Sequence, residues 1–294
     1  MKNSFLLKKH YVNLALIIIV LALVAVVWLK PGQPTAAKIF AALTADQVQN
    51  IELQVSNKES VQIKKQNGVW QITAPITIPA NRFRIEKILS ITQANSEKHY
   101  AANDLDLTQF ELMPPQARLI LNEHVIEFGG IAELGQQRYV KIENEILLIT
   151  DDYFPLISSG LAGLVDSQAI PETQKLLNIQ MPKFTISQTT KGAWAISPAN
   201  QQHTSDSLQA WITQWQQARA VFAERFVNLD TNNAPIVILH FADKSQLQYH
   251  LITSNGETAL YRADVGIKYH FSYEIFQSIA NEPALPAAVN TATP

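Results

Sequence analysis

The 294-residue sequence contains no cysteine. This absence excludes a disulfide framework, a thiolate metal site and a cysteine nucleophile. Charged residues are scarce as well, at 16% of the chain, whereas apolar residues make up 47% and are sufficient for a packed core. The net charge is -2, and the basic residues of the first 30 positions, Lys2, Lys8, Lys9 and Lys30, face no acidic residue there. The rest of the chain is therefore acidic and lacks the basic surface that nucleic-acid binding requires.

The motifs of common catalytic and binding sites are missing too. The 7 histidines are dispersed and include no close pair of the kind that zinc sites use. Gly129-Gly130 lacks the spacing of a nucleotide-binding loop, and the chain has no G-x-S-x-G or S-x-x-K nucleophile motif. We therefore expect no catalytic residues, no metal site and no cofactor.

An unbroken apolar run extends from Leu14 to Leu29 near the N-terminus. Together with the three residues before it, the run covers residues 11–29, and a helix of that length at ~1.5 Å per residue just spans a hydrocarbon core of about 30 Å. Lys8 and Lys9 precede it, which favours a cytoplasmic N-terminus. A cleavable signal peptide is the competing interpretation, but its apolar region is usually shorter, and Thr35-Ala36-Ala37 is only a weak cleavage site. The pattern favours an uncleaved anchor.

Two stretches of the chain, 124 residues apart, read alike, which indicates an internal duplication. Each contains a Gly-x-Trp motif, formed by Gly68 and Trp70 in one and by Gly192 and Trp194 in the other. Further pairs recur in the same order at offsets of 122 or 123, namely Asn81 with Thr204, Tyr139 with Tyr261, Thr150 with Ser272, and Phe154 with Phe276. The alternative is two unrelated stretches that share common turn chemistry. The strand spacing favours tryptophans packed in a core over an aromatic platform for a ligand.

Alternation of apolar and polar residues predicts antiparallel strands around one main helix in each copy. Asn67-Gly68 predicts a hairpin turn, and Asn81 predicts the N-terminus of the first helix. The second helix follows Thr204 or Ser205 and has one apolar face, made of Leu208, Trp211, Ile212 and Trp215. Strands are predicted at 51–55, from 61, at 117–121, 125–128, 138–142 and 145–149, and at 236–241, 247–251, 259–263 and 268–271.

Five polar residues carry more specific expectations. The adjacent acids Asp151 and Asp152 would not face each other at a helix start, so Thr150 and Asp151 are interpreted as a helix cap and a favourable dipole charge. Ser272 is predicted to cap the corresponding helix of the second copy. His250 alternates with polar residues and is expected to face water.

These patterns predict an α+β fold: an N-terminal transmembrane helix, then two tandem, related units of mostly antiparallel sheet with one main helix each. The predicted organisation is a basic cytoplasmic tail (1–10), a transmembrane signal anchor (11–29), a juxtamembrane linker (30–48), a first repeat (49–170), a second repeat (171–282) and a disordered tail (283–294).

Several short motifs together resemble a bacterial domain family of unknown function. They are the strand Ile51-Glu52-Leu53-Gln54-Val55, the stretch from Gly68 to Pro75, the stretch from Phe110 to Ala117, and Arg138-Tyr139-Val140. The members of that family are envelope proteins, often encoded beside an ABC transporter and proteins related to the gliding-motility auxiliary group. The resemblance covers most of residues 40–280. It implies a location and a class of partner, and it brings no catalytic residues with it.

The expected function is that of a non-enzymatic accessory or scaffold protein. It would be a single-pass protein of the bacterial inner membrane with its main domain in the periplasm, and its partners would be the lipid bilayer and a membrane protein such as an ABC-transporter component. The alternative is a periplasmic module that binds a glycan, a peptide or a lipid fragment between the two repeats, since ligands favour interfaces between domains. An envelope hydrolase is a third possibility, which a convergent cluster of His with Asp, Ser or Glu in a cleft would distinguish.

Overall fold

A computed structural model describes residues 14–25, 37–40, 43–96, 98–133, 135–199, 203–253 and 256–284. Its helices are α1 (14–25), α2 (Arg82–Leu89), α3 (Phe154–Ser158), α4 (Gly160–Leu164), α5 (Ser205–Gln217) and α6 (Tyr273–Ala280). None of the helices in this part of the chain is long and apolar enough to cross a bilayer. The predicted tail 1–10 lies outside the described residues, as do parts of the predicted anchor, linker and C-terminal tail.

The first large sheet has nine strands. They are β2 (Asn50–Val55), β3 (Val61–Gln66), β4 (Val69–Ala74), β5 (Ile78–Pro79), β7 (His99–Ala101), β8 (Ala117–Leu121), β9 (His124–Ile131), β10 (Gln137–Ile142) and β11 (Glu145–Thr150). Their order across the sheet is β5-β4-β3-β2-β8-β9-β10-β11-β7. A separate pair, β1 (Ala37–Lys38) with β6 (Asn95–Ser96), lies beside it.

The second large sheet has eight strands. They are β12 (Leu176–Gln180), β13 (Thr185–Gln188), β14 (Trp194–Ser197), β15 (Phe222–Arg225), β16 (Ile236–Phe241), β17 (Gln246–Ile252), β18 (Ala259–Arg262) and β19 (Ile267–His270). Their order is β14-β13-β12-β16-β17-β18-β19-β15. The strand pairings of both sheets are antiparallel, and the predicted α+β class with mostly antiparallel sheets is confirmed.

The two sheets place their strands in the same way. In each, the strands that precede the main helix lie on one side, with the first of them, β2 or β12, innermost; the first sheet has one more such strand, β5, at its edge. The four later strands follow in chain order, and the short strand after the helix, β7 or β15, lies at the far edge. The sequence patterns did not predict β7 or β15, because the few residues of these strands do not alternate between apolar and polar.

The main helices pack their predicted apolar faces into the core. Ile85, Ile88 and Leu89 of α2 are buried, as are all four predicted residues of α5. The predicted caps are also present: Asn81 accepts a bond from the backbone N–H of Arg84 at 3.1 Å, and Thr204 accepts one from Ser207 at 3.2 Å. Ser272 caps α6 by accepting a bond from Ile275 at 3.4 Å.

The predicted helix cap at Thr150 and Asp151 is wrong. The N-cap position of α3 is Tyr153, and no side chain caps that helix. The Asp151 carboxylate instead accepts hydrogen bonds from the Arg138 guanidinium, at 2.5 Å from Nε and 3.0 Å from Nη2. Because β10 and β11 pair as a hairpin, Arg138 lies opposite Ile149 and within reach of Asp151. The Asp151 carboxylate therefore binds Arg138 on the neighbouring strand and does not interact with the helix N-terminus as expected.

The expectation that His250 faces water is also wrong. His250 is buried on β17, where it lies opposite Tyr261 of β18. That face of the sheet carries a small apolar cluster that includes Tyr261, and Leu229 and Ala234 of the segment before β16 pack onto it. The polar residues that alternate with His250 in the sequence therefore do not show that this face of the strand is exposed to water.

Gly68 and Gly192 provide a matched stability test. Their φ angles are +83° and +85°, a region that glycine enters freely and alanine enters at a cost of about 1 kcal/mol. Open space surrounds both positions, so no steric clash adds to that cost. We expect Gly68→Ala and Gly192→Ala each to lower the free energy of unfolding by about 1 kcal/mol, measured by denaturant titration of the full chain in mild detergent. Lys191→Ala, at an exposed neighbour, is the control, and a loss no greater than that control at either glycine would contradict the expectation.

Candidate functional site

A groove of about 810 Å³ lies at one end of the first sheet. Residues of three chain segments line it: the described residues 39–40 and 43–47 before β2, the edge strand β7, and the turn between β10 and β11. His124, the first residue of β9, also lines the groove. A cavity of this size falls within the range of small-molecule and peptide-anchor sites.

The groove has an apolar floor and a polar rim. The buried floor residues are Ile39, Phe40, Leu43, Ile142 and Leu147. The exposed rim residues are Gln47, His99, Tyr100, His124, Glu143, Asn144 and Glu145. Ile142 and Leu147 face the floor because alternate residues of β10 and β11 point to the core side of the sheet, whereas the turn between these strands carries polar residues to the rim.

The acidic side chains on the described rim are those of Glu143 and Glu145, and none of the residues that line the groove is a lysine or an arginine. His99 Nδ1 lies 3.2 Å from a Glu145 carboxylate oxygen, and its Nε2 lies 3.2 Å from the backbone carbonyl of Ser96. The ring of His124 meets Phe40 edge-on, with the ring centroids 5.6 Å apart. Glu143 has no salt bridge to a described residue. The rim is therefore an acidic border around an apolar floor.

Glu127, an acid on the same strand as His124, is already neutralised. Glu127 on β9 accepts hydrogen bonds from Arg118 at 2.9 Å and from Lys141 at 3.0 Å. Partial burial by itself would raise the pKa of the Glu127 carboxyl, but the bonds and charges of these two cations outweigh burial and lower it. The carboxylates left for a ligand are those of Glu143 and, in part, Glu145.

Beside the groove, β7 is a sheet edge. Its only strand neighbour in the described structure is β11. Ala101 lies opposite Glu145, and the next residue, Ala102, donates its N–H to Asn144 at 2.8 Å. In an antiparallel pair the bonded positions alternate, so Tyr100 also bonds toward β11 while the N–H and C=O of His99 and Ala101 point away from the sheet.

The corresponding edge of the second sheet has a different environment. Helix α4 packs against the edge strand β15, and Arg225 of β15 lies 3.7 Å from Glu59 of the first sheet's half of the chain. On the adjacent strand β19, Lys268 is almost fully buried between Glu224 and Glu257. Its Nζ lies 4.1 Å from the ring centre of Phe226. These ion pairs lie within the chain and stabilise the packing around this edge.

The Gly-x-Trp motifs lie at equivalent positions in the two sheets. Gly68 and Gly192 both occupy turns, and the tryptophans that follow are buried on β4 and β14. The Trp194 indole N–H donates to Gln209 of α5 at 2.9 Å, and the Lys65 ammonium lies 5.7 Å from the ring centre of Trp70. Neither tryptophan lines the groove.

The remaining repeat markers are also structural in their contacts. Tyr139 on β10 packs edge-on against Phe110, with centroids 4.9 Å apart, and Tyr261 on β18 donates its hydroxyl to the Phe226 carbonyl at 3.0 Å. Phe154 begins α3, with its ring 3.7 Å from the Arg138 guanidinium, and Phe276 is buried on α6. The structure brings none of these residues to the groove.

The rim and floor residues were not predicted as a site. His99 and His124 were noted only as two of the dispersed histidines, and residues 37–48 were assigned to a linker. The groove joins segments about 100 residues apart in sequence, so no local spacing could have revealed it. In the described chain, no group of three or more His, Cys, Asp or Glu side chains is placed to hold a metal ion.

Comparison with known proteins gives one finding. Residues 70–246, more than half of the chain, match a family described as a domain of unknown function, DUF4340. The matched region begins within β4 and ends at the start of β17, so it includes parts of both sheets. No curated protein and no solved structure matches the chain. The chain belongs to the DUF4340 family, whose function is unknown.

Proposed function

We propose that this chain is a non-enzymatic accessory or scaffold protein of the bacterial inner membrane. Residues 11–29 would anchor it as a single span, the N-terminus would lie in the cytoplasm, and both sheets would lie in the periplasm. Its partner would be a membrane protein such as a component of an ABC transporter. The resemblance to envelope proteins encoded beside such transporters supports this choice of partner.

The observation that carries the proposal is the surface of α1. Nine of its apolar side chains, between Leu14 and Val24, are 51% to 60% exposed. These residues surround the helix on all sides, so no polar face could turn toward water while an apolar face packs on the protein. A helix that is apolar all round requires a nonpolar environment, and a bilayer supplies one. The basic residues Lys8 and Lys9 before the helix support a cytoplasmic N-terminus.

We also infer that the two sheets are copies of one unit. Apart from the extra edge strand β5, their strand orders agree. Equivalent backbone bonds flank the two sheets: Ile39 N–H donates to Ala94 at 3.0 Å, and Ala169 N–H donates to Ala218 at 3.0 Å. By these bonds, residues 37–39 in the first half of the chain hold the position that residues 167–169 hold in the second half. The first copy would then begin at residue 37, well before the predicted boundary at 49, and the second at residue 167, shortly before the predicted boundary at 171.

The contacts of the buried charges support a non-enzymatic role. Arg138 donates to the Asp151 carboxylate, to the Gln116 side chain and to the Gly129 carbonyl. Arg262 is held by both carboxylate oxygens of Asp264. Buried charges that are paired in this way within the chain stabilise a fold, and this use of the two arginines supports a structural role for them.

A topology measurement tests the anchor. Alkaline phosphatase fused after residue 294 is expected to be active because the enzyme folds only outside the cytoplasm, and a fusion after residue 10 is the inactive control. Mass spectrometry of the purified chain is expected to show an intact N-terminus. An inactive full-length fusion, or a chain cleaved near Ala37, would overturn the anchored topology.

Crosslinking in the membrane followed by a gentle-detergent pull-down tests the accessory role. We expect a membrane protein to be recovered well above the level in cells that lack the tagged chain. The matched control is the same domain with residues 1–36 replaced by a cleavable signal peptide, which should reach the periplasm and recover less of that partner. Recovery of no membrane protein above background would count against the accessory role.

A further inference from the structure

We propose that β7 and the groove beside it bind an extended peptide segment of a partner protein, in which apolar and basic side chains alternate. The inference rests on the proposed accessory function, since it specifies the kind of partner segment that this chain would hold. Three features of the first sheet carry it: a free strand edge, an apolar floor and an acidic rim.

The backbone of β7 offers bonds to a further strand. His99 and Ala101 direct their N–H and C=O groups away from β11, as the bond from Ala102 to Asn144 establishes. An exposed edge of this kind is a template for pairing, and many peptide-binding domains use it by adding the ligand as an extra strand. All three residues of β7 are exposed.

The groove determines which side chains such a strand would carry. Residues on one face of an added strand would point over the floor formed by Phe40, Leu43 and Leu147. The floor is apolar and buried, so it suits aliphatic or aromatic side chains. Glu143 and Glu145 lie at the rim of the same groove, where lysine or arginine side chains of the peptide would meet the Glu143 carboxylate and the Glu145 carboxylate beside His99.

The second sheet shows that the same edge position is a packing surface. There α4 covers the edge strand β15, while in the first sheet β7 stands at the equivalent place in the strand order. The second copy covers its edge strand β15 with a helix of the same chain, and the first copy can cover β7 with a segment of a partner. This is a common way in which proteins protect edge strands.

The test uses the full chain in mild detergent and a fluorescent peptide of alternating lysine and valine. The peptide is expected to bind, measured by fluorescence anisotropy, and a peptide of alternating glutamate and valine to bind at least about tenfold more weakly. Equal binding of the two peptides, or no binding of the lysine peptide, would overturn the proposal.

Ala101→Pro separates edge pairing from adsorption to the groove. The φ angle of Ala101 is -65°, which matches the angle that proline imposes, and its N–H points away from the sheet. The variant should therefore fold normally but lose one bond to the added strand and present a ring in its place. Binding of the lysine peptide is expected to fall by at least about tenfold, and unchanged binding would overturn the proposal.

Charge reversal provides an independent variant that leaves the backbone untouched. Glu143→Lys with Glu145→Lys is expected to weaken the lysine peptide and strengthen the glutamate peptide, whereas Glu274→Lys, an exposed site on α6, should change neither. If instead Ala101→Pro converts a dimer into a monomer and no peptide binds, the edge is occupied by a second copy and the proposal fails. A partner that Ala101→Pro still captures in the pull-down would leave the accessory function standing while refuting this site.

Discussion

Replacing Asp151 by alanine is expected to lower the free energy of unfolding by about 3 kcal/mol, since breaking one side of a buried ion pair strands the other charge. The Arg138 side chain is only 5% exposed, and Asp151 is 22% exposed. The carboxylate receives two of the guanidinium bonds, from Nε and Nη2. Gln116 and the Gly129 carbonyl would still satisfy Nη1, but they carry no charge to balance the arginine.

Asp152→Ala is the matched control for this change. Asp152 is the adjacent acid, its side chain is 64% exposed, and it lies 3.7 Å from Lys87, so its removal should cost less than about 0.5 kcal/mol. Thermal or denaturant unfolding of the two variants, followed by tryptophan fluorescence, gives the comparison. Equal losses in the two variants would show that Arg138 does not depend on its carboxylate partner.

The two acids also show where sequence reasoning ends. Caps at Asn81, Thr204 and Ser272 were predictable because each side chain serves a backbone N–H only two or three residues further on. Thr150 and Asp151 carry the same local signal, yet the carboxylate bonds to an arginine on the preceding strand. A charged partner at close range gives a stronger interaction than a helix N-terminus does, and the sequence pattern around Asp151 contains no trace of that partner.

The strands of the sheets could be predicted from local sequence patterns, whereas the groove could not. Long strands such as β8 and β16 were predicted to the residue because alternation along the chain records which face is buried. The residues of the edge strand β7 do not alternate between apolar and polar, and its position follows only from pairing with β11. The groove depends on that edge and on Ile39, Phe40, Leu43 and Gln47, so its geometry exists only after the sheet has formed. The candidate site was therefore beyond the reach of local patterns, whereas most of the sheet was not.

Replacing Trp215 by alanine is expected to lower the free energy of unfolding by about 4 kcal/mol, because it removes a large buried side chain and leaves a cavity. Trp215 is 0% exposed and packs edge-on against Trp211, with centroids 6.1 Å apart. Its indole N–H donates to the carbonyl of Ile279 at 3.0 Å, and Trp211 donates to Asn281 at 3.0 Å. The two indoles thus satisfy carbonyls at the C-terminus of α6 that have no partner within the helix.

Trp215→Phe separates the two contributions of this side chain. Phenylalanine keeps much of the packing but lacks the N–H, so it leaves the Ile279 carbonyl unsatisfied and should cost about 2 kcal/mol. Gln216→Ala, at the exposed neighbouring position, controls for the change in helix propensity. Because the indole bonds to α6, hydrogen exchange at the amides of residues 273–280 should accelerate in both tryptophan variants and stay unchanged in the control. Loss of stability without faster exchange in α6 would mean that Trp215 supports only the sheet and does not join the two helices.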